Sequence, residues 1–348
     1  MRILLTGASG FVGSHVLHHL LTHTRAEIIT PWTLRHRGNS QRITAAIPPG
    51  AEHRVTTVMH DLATPIPRTL ARDIGRVDYI LNLASESHVD RSIAHPAEFI
   101  RNNTELILNV LDYAREARPR MLLQMGTDEE YGPAPAGYAH REWDTVLPSN
   151  PYSASKAAQS AICTAYWRTY GVPVVLTRTM NLIGPGQDPE KFVPLTIRKI
   201  LAGETVPIHS SPDGQPGSRH WIDAREFGAA WLHLITHHQP QMYPQHDRPS
   251  MWHIVGEERS NLDIAQTIAR ILGRPLDYEL VAYHASRPGH DLRYALDGSK
   301  LAAAGWQPSR PLDDTLADIV AWYLDHPSWL DTDTSTPPGD NPPCCLTR

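Results

Sequence analysis

Two short segments carry side chains that together can move protons and a hydride. They are Thr127-Asp128-Glu129, just ahead of Tyr131 and Gly132, and Tyr152-Ser-Ala-Ser-Lys156. A Tyr phenol is a poor base at neutral pH, since its ordinary pKa is about 10. A Lys one helical turn away faces the same side and stabilises the phenolate by its charge. Such a pair can strip a hydroxyl proton while a nicotinamide takes the hydride, and Thr127 can hydrogen-bond the same hydroxyl. Oxidation alone needs no more than that. An acid and a base set beside the pair point to a second step, loss of water. Alone, a Tyr-x-x-x-Lys is often just an exposed helix pair, and an acidic run after a strand is often a solvated loop.

The elements around these segments give them context. Gly7, Gly10 and Gly13 follow a short apolar run, residues 2–6, and open a helix that reaches about Leu21. Glycines in such a turn let the backbone approach a pyrophosphate, which then sits at the helix N-terminus. Gly7, Gly10, Phe11, Val12 and Gly13 are therefore the expected dinucleotide contacts. Further strands are expected at Glu27–Thr30, Arg54–Met59, Val77–Ala84, Met121–Met125 and Val174–Thr177. Helices separate them, the clearest being Pro96–Arg118 and Tyr152–Tyr170. This alternation predicts an α/β fold, a doubly wound parallel sheet of the Rossmann type, over residues 1–178. Beyond Thr179 prolines and glycines become frequent, and helical periodicity returns at Leu262–Leu272 and Leu312–Leu324. The expectation there is a smaller mixed α/β substrate lobe over 179–330, with part of 221–250 returning to the first domain. Residues 331–348, dense in Pro, Asp and Thr, are expected to form a disordered tail.

One cofactor element is missing. An acidic residue normally ends the second strand and binds the adenosine ribose, but Thr30-Pro-Trp-Thr-Leu-Arg-His-Arg37 holds no carboxylate. Arg35 could meet a 2′-phosphate instead, so both NAD and NADP stay open. Asp61, after the third strand, is placed to accept from the adenine amino group, with Leu62 and Ala84 lining the same site.

Composition narrows the classes. A net charge of −5 and 41% hydrophobic residues describe a folded soluble protein without the basic excess that nucleic-acid binding needs. No apolar run approaches the roughly 20 residues of a membrane span. Cys163, Cys344 and Cys345 lack metal-ligand spacing, and the paired histidines His18-His19 and His237-His238 read as surface positions. No metal is expected, and a reducing cytoplasm fits the cysteine usage.

The ordered segments resemble a family. Leu83-Ala-Ser-Glu-Ser-His-Val-Asp-Arg-Ser92, Gly126-Thr-Asp-Glu-Glu-Tyr-Gly132 and Pro151-Tyr-Ser-Ala-Ser-Lys156 carry the likeness. Asn181-Leu-Ile-Gly-Pro185, Pro189-Glu-Lys191, Arg219-His-Trp-Ile-Asp223 and Arg287-Pro-Gly-His-Asp291 continue it. From Met1 to about Leu330 the chain resembles the extended short-chain dehydrogenase/reductases, and within them the nucleotide-sugar 4,6-dehydratases of the dTDP-glucose type. The resemblance implies a cycle with no net redox change on an NDP-hexose, dTDP-glucose first. Tyr152, backed by Lys156 and Thr127, starts oxidation at C4. Glu129 removes the C5 proton, Asp128 protonates the departing 6-hydroxyl, and the hydride returns to C6. The dinucleotide would stay tightly bound and be recycled. Asn181, Arg219 and Arg287 would hold the diphosphate, and Glu86, Ser87 and Lys191 the sugar. A homodimer is implied, with the Pro96–Arg118 and Tyr152–Tyr170 helices pairing across a two-fold axis.

The rival readings are an epimerase, a decarboxylase or a 5,6-dehydratase of the same fold, and a nucleotide-binding module without catalysis. An epimerase has no use for an acid–base pair aimed at C5 and C6, and a decarboxylase none for an acid at Asp128. The chain also departs from the family pattern. Gly126 stands where Ser is usual and Glu130 where Val is usual, Asn181-Leu182-Ile183 replaces Asn-Asn-Tyr, and His209-Ser210 replaces Tyr-Gly. The last two fall where nucleotide and sugar are expected, so they bear on the identity of the substrate.

Overall fold

The computed structural model describes residues 1–33, 38–282 and 292–331. Arg35, Arg287 and the tail from residue 332 onward, on which three sequence expectations fall, lie outside these described residues. The apolar run that opens the chain is strand β1 (Arg2–Thr6), the third strand in from one edge of a seven-stranded sheet. From the far edge the sheet runs β10 (Ser250–Ile254), β6 (Val174–Thr179), β5 (Met121–Thr127) and β4 (Tyr79–Asn82). It continues through β1 to β2 (Glu27–Trp32) and β3 (Val55–Met59). Every pairing is parallel, as the strand–helix alternation predicts. The strand order reverses between β1 and β4, and ligands of such sheets bind in the crevice outside the strand ends at that point.

Pleating splits β1 between two cores. Ile3 and Leu5 pack with Val16 and Leu17 of α1 (Phe11–His23) and Trp231 of α8 (Ala224–His237). Leu4 faces the other way, toward Leu111 of α5 (Pro96–Ala117) and Trp167 of α6 (Pro151–Tyr170). Both tryptophans are fully buried. Helix α6 is punctuated at both ends. Asn150 caps it through the Ser153 N–H, Pro151 occupies its first turn, and Gly171 ends it in the left-handed region at φ 67°. Those signals fix Tyr152 at the start of the helix, beside the end of β5.

The lobe has its own core. β7 (Asn181–Ile183), β9 (Ser218–Asp223) and β11 (Glu257–Ser260) form a mixed three-stranded sheet, and β8 (Val206–Ser210) pairs with β12 (Tyr278–Ala282). α7 (Phe192–Ala202), α9 (Asn261–Leu272) and the helix Leu312–Asp325 bury Ile197, Ile268 and Leu316 against them. The chain then interleaves the two parts. α8 packs on α1, and β10 pairs with β6 at the edge of the large sheet, although both follow the first strands of the lobe.

The β1–α1 turn tolerates no side chain at its third glycine. A Cβ on Gly13 would lie 2.0 Å from the Gly7 carbonyl oxygen, so the two backbones would have to separate. Gly13→Ala is expected to lower the melting temperature and to abolish retention of dinucleotide through purification. Thermal denaturation, with the ultraviolet spectrum of the purified protein, checks both.

Candidate active site

The crevice is built from the glycine turn outward. Gly7 is left-handed at φ 77°, and a Cβ there would meet the Ala84 nitrogen at 2.9 Å. The Gly10 N–H donates to the Gly7 carbonyl at 2.9 Å, closing the turn. Beneath it the Thr6 hydroxyl donates to Asn82 Oδ1 at 2.6 Å and accepts from the Leu83 and Ala84 N–H groups. The ends of β1 and β4 are thereby stitched together, leaving room for a pyrophosphate against bare backbone. This cradle fits a dinucleotide. Gly7, Gly10, Phe11, Val12, Gly13, Asp61, Leu62, Ala84, Tyr152 and Lys156 all line one cleft, together with Glu86, Ser87, Thr127 and Lys191. At the end of β2 the wall is Pro31, Trp32 and Thr33, with Gly38 and Arg42 beyond. Among the described residues there, none is a carboxylate.

Behind the cleft runs a buried polar chain. Asn82 Nδ2 donates to Gln124 Oε1 at 2.6 Å, and Gln124 Nε2 to Gln159 Oε1 at 3.2 Å. Lys156 Nζ donates to the same Gln159 oxygen at 2.8 Å and to the Met125 carbonyl at 2.7 Å. Gln159 Nε2 reaches the Asn103 carbonyl, and the Asn103 amide bonds Ser155 Oγ and the Glu86 carbonyl. Burial draws the Lys156 ammonium down to about 8, with the Glu130 carboxylate opposing. Burial pushes the Tyr152 phenol well above its ordinary value, with the carboxylates of Glu129 and Asp128 adding to the rise. A hydrogen bond from the Thr127 side chain works against it.

The triplet sits where β5 ends in a single 3-10 turn, Asp128–Tyr131. The Thr127 hydroxyl donates to Asp128 Oδ1 at 2.9 Å, and the Glu129 N–H donates to the same oxygen at 3.0 Å. Asp128 is buried, whereas Glu129 is partly open and accepts from Asn150 Nδ2 at 3.1 Å. Burial first, and the Glu129 charge second, push the Asp128 carboxyl up to about 7. Two adjacent carboxyls are thus set in different surroundings, and Asp128 is the one held toward its acid form.

The remaining candidates are placed differently. Asp128 and Glu129, like Asn181 on β7 and Arg219 on β9, do not line the cleft, whose wall takes only Thr127 of the triplet. Arg219 is buried, donates to the Ser218 and Leu292 carbonyls at 2.7 Å, lies over the Tyr294 ring, and exerts its charge on Asp128. The structure adds residues that the motifs alone did not single out. His88, Arg91, Asn102 and Glu190 line the cleft, and His88 Nε2 lies 2.8 Å from Glu190 Oε1. Their signal was positional, since His88 and Arg91 lie within the 83–92 segment and Glu190 beside Lys191. Asn150 was visible as an Asn ahead of Pro, a helix-cap signature.

A glycine cradle at the switch point, with Tyr and Lys on the helix beside it, defines a dinucleotide-dependent enzyme of the short-chain dehydrogenase type. The chain belongs to the NAD dependent epimerase/dehydratase family, whose model matches residues 3–244. It is 34% identical to a dTDP-glucose 4,6-dehydratase of Streptomyces antibioticus over 99% of this chain and 98% of the relative. It is 32% identical to a dTDP-glucose 4,6-dehydratase of Escherichia coli over 94% and 95% of the two chains. Among solved structures it resembles dTDP-glucose 4,6-dehydratase from Streptomyces venezuelae with NAD and TYD bound. That match has a TM-score of 0.81 at 32% identity, covering 94% of this chain and 98% of the other.

The raised Asp128 value has a sign that can be tested. Its folded-state value lies above the unfolded one, so its contribution to stability is present below about pH 4 and is lost as pH rises to about 7. A rise of that size corresponds to roughly 4 kcal/mol of disfavoured ionisation. Asp128→Asn should therefore melt above the parent at neutral pH, with the gain fading toward pH 4. Melting curves of both proteins across that range make the comparison, and a gain independent of pH would contradict it.

Proposed function

We propose that the chain is a nucleotide-sugar 4,6-dehydratase, converting an NDP-hexose, dTDP-glucose first, to the 4-keto-6-deoxy sugar nucleotide. The observation that supports the reading is Asp128, buried and held toward its acid form beside Glu129, with both carboxylates near enough for their charge to act on the Tyr152 phenol. Oxidation alone gives these two groups no task, and their separation is what water loss across C5–C6 requires. The relatives named above point the same way.

The bound nicotinamide supplies a hydride acceptor and, later, a hydride donor, and the relative from Streptomyces venezuelae supports NAD in that role. Tyr152 takes the C4 hydroxyl proton as a carbonyl forms, with the Thr127 hydroxyl steering the oxygen. Lys156 offers its positive charge from the floor of the cleft. The new carbonyl acidifies C5–H, and Glu129, aimed by Asn150, takes that proton. Asp128 gives its proton to the C6 oxygen, which leaves as water. Glu86, Ser87 and Lys191, which line the cleft, are assigned to the sugar on family resemblance. Arg219 and Asn181 are assigned to the diphosphate on family resemblance. The chain works in this reading as a homodimer joined through α5 and α6, in the reducing cytoplasm that suits the free, buried Cys163.

Incubation with dTDP-glucose should give a 4-keto product, and a panel of sugar nucleotides that yields none would sink the assignment. Glu129→Gln should lower turnover by about 100-fold or more while the bound dinucleotide still becomes reduced. Loss of both steps together would give Glu129 a different role. Releasing the dinucleotide and weighing it should return NAD.

A further inference from the structure

Glu130 is fully buried, and no step derived above uses it. Its Oε1 accepts the Thr127 N–H at 3.1 Å, and its Oε2 accepts the Ser160 hydroxyl at 2.8 Å. The same Oε2 accepts Arg178 Nε at 3.1 Å and Nη2 at 2.7 Å. One carboxylate therefore binds the end of β5, helix α6 and strand β6, the three elements around the reacting groups. Ser160 lies one turn beyond Lys156 and two beyond Tyr152, so the clamp closes on the stripe that carries both. Arg178 is 3% exposed at its side chain and lies 4.0 Å from the Tyr131 ring centroid. The carboxylate occupies space that residue 126, a glycine, leaves open. A Cβ there would come within 2.4 Å of Glu130 Oε1. Gly126 and Glu130, two separate oddities in the sequence, are one packing unit in space.

We propose that Glu130, seated over Gly126 and paired with Arg178, is a positioning residue that sets the Thr127–Glu129 turn and biases the charge of the Tyr152–Lys156 pair. The proposal rests on the dehydratase reading of those residues. A buried pair left half-broken is costly, because the remaining charge has no water to turn to. The clamp is therefore a fixed part of the floor. Its field reaches both reacting groups, since the Glu130 charge favours the ammonium of Lys156 and the neutral phenol of Tyr152. The other ionisable groups facing this floor are Asp128 and Glu129 toward Tyr152, Cys163 toward Lys156, and Tyr131 and His253 around Arg178. Glu142 faces the Tyr131 side.

Glu130→Gln keeps the shape and removes the charge. The test is single-turnover reduction of the bound dinucleotide by dTDP-glucose across pH, in the full-length protein. The falling limb follows loss of the Lys156 proton, since burial holds the Tyr152 phenol above that range. That limb should move to lower pH by about one unit, a tenfold change in proton affinity. Glu130→Gln/Arg178→Gln should return it toward the parent. A limb that stays in place while only the rate falls would reduce Glu130 to a structural residue and overturn the proposal. If Glu130→Gln does not fold, the Gly126→Ser and Glu130→Val changes are compared singly and together. The pair should recover at least part of the activity that each loses, because the serine fills the volume the carboxylate vacates. Strictly additive losses would overturn the proposal. A parent that turns over no sugar nucleotide defeats the dehydratase reading instead, so the two failures are separable.

Discussion

The site depends on a line of buried amides. Asn82, Gln124 and Gln159 hand hydrogen bonds from β4 through β5 to α6, and the line ends on the Lys156 ammonium. A polar group buried without a partner costs about 1–3 kcal/mol, and a charged one more. Each member of this line is satisfied by the next, so none can move alone. The position of Lys156 is thus a property of the sheet and not of its own flexible side chain. Thr6, bonded to Asn82, brings the glycine turn under the same constraint. Cofactor cradle and proton-transfer groups are held in one register from below.

Three consecutive acids then meet three different surroundings within one turn of chain. Asp128 is buried against Thr127, Glu129 is partly open and tied to Asn150, and Glu130 is sealed against Arg178. Chemically similar side chains acquire distinct environments from burial and partners alone. The 3-10 turn makes this possible, because successive residues point about a third of a turn apart. A straight continuation of β5 would alternate them between two faces and could not give each its own environment.

Much of this was legible in the sequence, and the limits have physical causes. The glycine turn, the Tyr–Lys spacing and the helix signals around Pro151 and Gly171 are local, and local rules read them. Asp128 and Glu129 stood out because an acid and a base beside Tyr–Lys have a chemical meaning. Glu130 stood out only as a departure from the family pattern, with no task attached, since its partner Arg178 lies 48 residues away and the packing gap that admits it belongs to Gly126. The edge strand Ser250–Ile254 has neither clean alternation nor a glycine-bounded apolar run, and only its pairing with β6 makes it a strand. Arg219 was singled out by its motif alone, and only the fold shows that it also binds two carbonyls of the lobe.

The interleaving of the two parts has a mechanical meaning. The chain leaves the large sheet at Thr179 and enters the lobe sheet at Asn181, with Met180 alone between them. It makes a second such crossing from Ile254 to Glu257, where Gly256 lets the backbone press against the Trp221 carbonyl. The Thr179 hydroxyl donates to the Ile254 carbonyl at 3.1 Å, stapling one crossing to the other. Two short, cross-linked struts leave little freedom for a hinge. Much of the ordering of a cleft lined from both parts of the chain is therefore complete once the chain has folded. An incoming ligand then has less loop and domain entropy to overcome.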